Sequence, residues 1–108
     1  MTSTGIRIKA RIFLLPSAES GRTVPIRGSY RPNHNFGTAD NREMDIGFLE
    51  FKEGEMLRPG ESTELEITLW PRPGLRETVQ PGREWRIQEG GHLVAVGTVL
   101  EVLGVAKV

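Results

Sequence analysis

Between Ile6 and Leu15 apolar and charged positions alternate strictly. Ile6, Ile8, Ala10, Ile12 and Leu14 fall on one side, and Arg7, Lys9 and Arg11 on the other. A period of two puts successive side chains on opposite faces, so the segment predicts a strand with one buried and one wet face. Pro16 ends it, and residues 17–21 read as a polar loop. A second strand is expected over Thr23–Ser29, leading to Pro32, which cannot donate to a ladder and marks an edge, bulge or strand switch. Phe36 is expected to return the chain to the core before a loop over 37–42. Met44, Ile46 and Phe48, with Leu49 or Phe51, predict an inward-facing set on the next strand, with acidic residues outside. Leu65, Ile67 and Leu69 alternate with Glu64, Glu66 and Thr68 in a half-buried strand. Trp85 and Ile87 alternate with Glu84, Arg86 and Gln88 in another, and Leu93–Leu103 form a long last strand, apolar on both faces near Val94–Val99.

Turn residues punctuate this pattern. Pro59-Gly60 predicts a tight turn, because proline presets one φ and glycine supplies a positive one. Residues 71–82, which hold Pro73-Gly74 and Pro81-Gly82, read as a long loop. Gly90-Gly91 predicts a type I′ hairpin, and Gly97 within the last strand implies a bend or a close backbone approach. No amphipathic helix or internal repeat is evident. The expectation is an all-β fold of about six antiparallel strands, one domain over residues 1–108.

Composition narrows the chemistry. The chain has no cysteine, which excludes a disulfide framework, a thiol nucleophile and a thiolate zinc site. The N-terminal segment lacks an uninterrupted apolar core, and no stretch approaches the roughly 20 apolar residues of a membrane helix. A soluble, cytoplasmic protein with no membrane contact is therefore expected. Fourteen basic residues balance fourteen acidic ones, yet the signs segregate along the chain. Residues 1–42 are basic, and residues 43–66 are acidic. Either these are two solvated faces of one domain, or the first is a basic surface for phosphate or an acidic protein.

Five segments together resemble the C-terminal domain of elongation factor Tu. Gly28-Ser29-Tyr30-Arg31-Pro32-Asn33 is similar to that family's Gly-Tyr-Arg-Pro-Gln, and Phe36-Gly37-Thr38-Ala39-Asp40 to its Phe-Arg-Thr-Thr-Asp. Met56 to Glu61 resembles Met-Val-Met-Pro-Gly-Asp, Arg86 to His92 resembles Ala-Ile-Arg-Glu-Gly-Gly-Arg, and Val94 to Val99 resembles Val-Gly-Ala-Gly-Val-Val. Their order and spacing run along nearly the whole chain. The resemblance implies a six-stranded antiparallel Greek-key barrel, here as a stand-alone small protein. In the family this barrel packs on a second barrel and a GTPase domain, helps hold the T-stem of aminoacyl-tRNA and contacts the nucleotide-exchange partner. Gln88 and His92 replace the two hairpin arginines, Gly37 replaces a third, and Asn33 stands for glutamine. Each cation lost removes about one counterion released on RNA binding.

Catalytic chemistry has little to stand on. His34 and His92 each fall in an expected loop or turn and read as exposed polar residues. No spacing gathers His34, Asp40 and His92 into a metal site, and no glycine-rich loop with lysine follows a strand, so neither cofactor nor nucleotide is expected. Tyr30 beside Arg31, at the break held by Pro32, could stack on a base or anchor a protein; equally, Tyr30 could pack on the rim and Arg31 pair with a carboxylate. Trp70, in a proline-rich segment, would mark an interface if exposed. Glu89-Gly90-Gly91-His92 could offer backbone N–H groups to phosphate or be a structural hairpin. The expected function is a non-catalytic binding module in a translation-related context. A protein partner, with a translation factor as one candidate, would be met by Arg27, Tyr30, Arg31, Asn33, His34, Trp70, Gln88, Glu89, Gly90, Gly91 and His92. The alternative is a tRNA-binding module using the Arg27–Arg31 rim and the Gly90-Gly91 hairpin.

Overall fold

Alternation produces the first strand as expected: β1 (Thr4–Leu14) buries Ile6, Ile8, Ala10, Ile12 and Leu14 and exposes Arg7, Lys9 and Arg11. The computed structural model describes residues 4–107. Along them follow α1 (Ser17–Ser20), β2 (Ile26–Arg27), β3 (Ser29–Tyr30), β4 (Asn33–Asn35), β5 (Asp45–Glu50), β6 (Met56–Leu57), β7 (Ser62–Leu69), α2 (Leu75–Thr78), β8 (Glu84–Glu89) and β9 (His92–Lys107). The order β5-β4-β8-β9-β1-β7 closes because β5 also pairs with β7, giving a six-stranded barrel in which every pairing is antiparallel. β4, β5 and β7 are successive barrel strands and β1 returns beside β7, which is a Greek key. β3 extends the sheet beside β5, and β2 and β6 form a separate ribbon. Closure leaves an interior just wide enough to be filled by side chains, here Ile8, Ile12, Leu14, Leu49, Ile67, Leu69 and Ile87, all fully buried.

The turns form where proline and glycine place them. Arg58 O accepts from Glu61 N across Pro59-Gly60, Arg72 O from Leu75 N across Pro73-Gly74, and Gln80 O from Arg83 N across Pro81-Gly82. The glycine of each turn has φ near +80 to +90°, as a type II turn requires. At the β8–β9 hairpin only Gly90 is left-handed, with φ +60°. That is the pattern of a II′ turn rather than the expected I′.

Three expectations are corrected. The segments at 17–21 and 71–82 are not loops throughout; each holds a single helical turn, and α2 carries Leu75, which with Val79 joins the core. The single strand expected over Thr23–Ser29 is split at Gly28 into β2 and β3, which pair with different partners, and past Pro32 residues 33–35 form β4 between β5 and β8. The phase of β5 is reversed: Gly47, Leu49 and then Phe51 face inward, while Ile46 is 55% exposed and Phe48 half-buried. Space decides this. A Cβ at Gly47 would lie 2.7 Å from Leu69 Cδ2 and 2.9 Å from His34 Nε2, so only glycine fits there. Gly97 plays the same part opposite Trp85, whose Cζ2 would stand 2.5 Å from an added Cβ. This is the close approach expected of it.

The β1 part of the basic segment and the β7 part of the acidic segment do not form separate faces. β1 lies against β7 with Lys9 opposite Glu66 and Arg11 opposite Glu64. Arg7 pairs with Glu66, and Lys9 and Arg11 reach Glu64 at 3.6 and 3.7 Å. The β1 cations of the basic stretch are thereby stitched to the β7 glutamates of the acidic one on a shared outer face.

Candidate binding surface

Apart from Arg27, the expected site residues divide among a buried network, a hairpin cluster and an aromatic patch. In the network, β4 and β8 run side by side with Asn33 opposite Gln88, His34 opposite Ile87 and Asn35 opposite Arg86. His34, Asn35 and Gln88 are all buried, so His34 is not the exposed loop histidine expected, and Gln88 is withdrawn from the surface. Trp85 Nε1–H donates to His34 Nδ1 at 3.0 Å, which places the histidine proton on Nε2. Nε2 faces Gly47 without a hydrogen bond. Burial pushes the His34 pKa down to about 4, against the opposing pull of the Gly47 backbone and of Asp45. Asn35 Nδ2 donates to Gln88 Oε1 at 2.8 Å and to Thr38 O at 2.9 Å, while its Oδ1 accepts from Gly37 N and Asn41 Nδ2, both at 2.8 Å. Phe36 stacks on Trp85 with ring centroids 5.1 Å apart. Apart from His34 Nε2, these buried groups are satisfied, as a stable polar interior demands.

Around the hairpin, Glu89 gathers two partners. Tyr30 donates its hydroxyl to Glu89 Oε2 at 2.6 Å, and Arg22 pairs with the same oxygen while its guanidinium lies 5.4 Å from the Tyr30 ring centroid. Burial first, and then the Glu89 carboxylate, hold the Tyr30 phenol well above its ordinary pKa. His92 is exposed, with Nε2 2.9 Å from Ser20 O. Asn33 Nδ2 reaches Gly90 O at 3.5 Å. Tyr30 therefore packs on the rim. Its chain neighbour Arg31 pairs with no carboxylate among the described residues but lies over the Phe48 ring, 4.5 Å from its centroid.

That contact belongs to the third cluster. Phe48 meets Trp70 edge to face with centroids 5.9 Å apart. Ile46 O accepts from Trp70 N at 2.9 Å. Trp70 is 40% exposed, beside Ile46. Arg72 forks onto Asp45 through Nε at 2.6 Å and Nη2 at 3.0 Å, pinning the loop that follows Trp70. Arg31 and Trp70, 39 positions apart in sequence, are thus joined through Phe48. Sequence reasoning missed Ile46 and Phe48 by assigning them to the core. Gly47 between them was the available signal, since an isolated glycine in a strand marks close backbone approach. Arg27 stays exposed on β2, opposite Met56.

Residues 2–103 match the family model described as elongation factor Tu C-terminal domain. The chain belongs to this family. It is 34% identical over 96 residues to elongation factor Tu 2 of Streptomyces avermitilis, an alignment covering 89% of this chain and 23% of that protein. The chain thus spans about a quarter of the length of the curated relative it matches. Within the elongation factor Tu C-terminal domain family, the hairpin substitutions acquire a structural setting. Gln88 is buried and ties Asn35 and Arg86 to the hairpin, and His92 closes onto α1. No group of three His, Asp or Glu side chains able to hold a metal occurs among the described residues. None of the described helices is long and apolar enough to cross a membrane.

Proposed function

We propose that the chain is a non-catalytic, protein-binding module that works in a translation-related context, and that its partner docks on Ile46, Phe48, Trp70 and Arg31. One observation carries this reading: an exposed tryptophan and isoleucine flank a phenylalanine already capped by an exposed guanidinium. Tryptophan and arginine are among the side chains that most often supply large binding energies at protein interfaces, the indole as a large rigid anchor and the guanidinium as a planar group that stacks and donates several hydrogen bonds. Family membership supports the translation context, and the cytoplasm is where such a module would act. Tyr30, Glu89, Gly90, Gly91, His92 and Asn33 would form the polar rim of the same surface. His34 and Gln88 would support that rim from within.

The RNA alternative rests on Arg27, Arg31 and the backbone of the Gly90-Gly91 hairpin. Against it, Arg7, Lys9 and Arg11 are tied to Glu64 and Glu66, and Arg22 to Glu89. A small module without a net basic face rarely holds RNA tightly. The deciding experiment is capture from the native cell lysate with and without ribonuclease, using wild type and Trp70→Ala. A discrete protein retained after ribonuclease and lost with Trp70→Ala is expected. Capture that disappears with ribonuclease, and weakens with salt at a log–log slope of roughly −0.7 to −0.9 per phosphate, would replace this reading by the RNA one.

A further inference from the structure

The closed barrel leaves one long strand edge without a partner. β8 covers β9 only from His92 to Thr98, after which Val99 exchanges hydrogen bonds with Arg83 and Gly82. Beyond Val99, β9 pairs with β1 alone, and its other edge meets no strand among the described residues. Such an edge presents unpaired N–H and C=O groups, a template for a further strand. It is also apolar: Val102 and Leu103 are about two-fifths exposed, and Val105, at 61%, is the most exposed large apolar side chain described. Beside it runs an open groove of about 560 Å³, lined by Ile6, Arg76, Gln80, Pro81, Leu100 and Val102.

The residues of this edge complement themselves. Laid antiparallel against its own copy with Gly104 at the centre, the strand sets Leu103 opposite Val105, Val102 opposite Ala106 and Glu101 opposite Lys107. Symmetry repeats each pair, so four apolar contacts and two opposite-charge pairs form about one axis. In this register no like charges oppose. Register shifts between β1 and β9 leave Leu100 and Leu103 as bulges. Bulges bend an edge and limit pairing to a short stretch, which favours a closed pair over an open-ended fibre. Val105 of each copy would then enter the groove of the other.

From this we infer that the chain forms a two-fold homodimer by antiparallel pairing of residues 101–107 of β9 with the same residues of a second copy. This edge shares no residue with the Trp70 surface and does not depend on the function proposed for it. Pairing of seven residues from each copy falls in the weak, transient class of interfaces below about 1,200 Å². Sedimentation equilibrium of the full chain up to hundreds of micromolar is therefore the test. A reversible monomer–dimer equilibrium is expected, together with amide-exchange protection of 101–107 that rises with concentration. Lys107→Glu, at an exposed position, opposes two glutamates twice and should raise the dimer dissociation constant tenfold or more. Glu101→Lys should do the same, and the double reversal should restore the wild-type constant. Circular dichroism confirms that each variant keeps its fold. A chain that stays monomeric throughout, or a dimer indifferent to both single reversals, would overturn the inference.

Discussion

Two regions of this barrel invert the usual distribution of polar and apolar groups, and they do so with different consequences. Between β4 and β8, His34, Asn35 and Gln88 are buried, yet nearly every polar atom among them has a partner. Around β5 and the end of β7, Ile46, Phe48 and Trp70 face outward, with only an arginine over one ring. The first region is nearly complete in itself: all its polar groups but His34 Nε2 are already paired, so they gain little from another molecule. The second is incomplete, because its apolar area stays in contact with water until something covers it. Residue type alone therefore misleads in both. Histidine and glutamine suggest a site, whereas isoleucine and phenylalanine suggest a core.

The contrast yields predictions, the largest first. Trp85→Ala should destabilise the barrel by about 3–5 kcal/mol, because it removes the ring that fills the space over Gly97, the stack with Phe36 and the donor to His34 at once. Urea denaturation measures this, and a loss under about 1 kcal/mol would show that the wall is not a structural unit. Acid should act on the same wall. His34 titrates near 4 when folded, below its unfolded value of 6.5, so the unfolded chain binds more protons between those values. Stability is then full above pH 6.5 and falls as pH drops towards 4, by about 3 kcal/mol at most from this group. Asp45, opposite His34 on β5, is already engaged by Arg72. Denaturation midpoints at pH 7 and pH 4.5 should differ in wild type and converge in His34→Gln. An equal acid loss in that variant would assign the effect to the carboxylates instead.

On the outer region, Trp70→Ala should cost only about 1 kcal/mol of stability, since the ring is partly exposed and meets Phe48 edge-on. Partner capture, by contrast, should collapse. A large loss of stability would make the patch structural and erase the difference between the two regions. The smallest effect is expected from Arg7→Ala, which removes an ion pair whose side chains are about half exposed. Thermal denaturation should change by less than about 0.5 kcal/mol, and less still at high salt.

Much of the barrel was legible in the chain. β1, β7 and β8 follow from alternation, the Pro-Gly turns sit where φ requires them, and Gly97 declares its close approach. Three features resisted. The short helices lack the length for a periodic signal. In β5 two apolar sets of opposite phase compete, and bulk favours Ile46 and Phe48, whereas the fold selects Gly47, Leu49 and Phe51. His34 reads as a loop residue because only its pairing with β8 and the ring of Trp85 make it interior. Of the candidate surface, Trp70 and Arg31 were each picked out singly, but nothing local says that Phe48 joins them.

By itself, then, the sequence determined the fold class, the positions of most strands and turns, and membership of the elongation factor Tu C-terminal domain family. These are written in period, in proline and glycine, and in motifs whose spacing is linear along the chain. Tertiary structure alone decided which charges cancel, which face of β5 is inside and which aromatics share a surface. Those outcomes depend on pairings between residues 17 to 59 positions apart: Arg7 with Glu66, Gly47 with Leu69, Arg31 with Phe48 and Trp70. A one-dimensional pattern carries no term for such distances until the barrel closes and sets the registers.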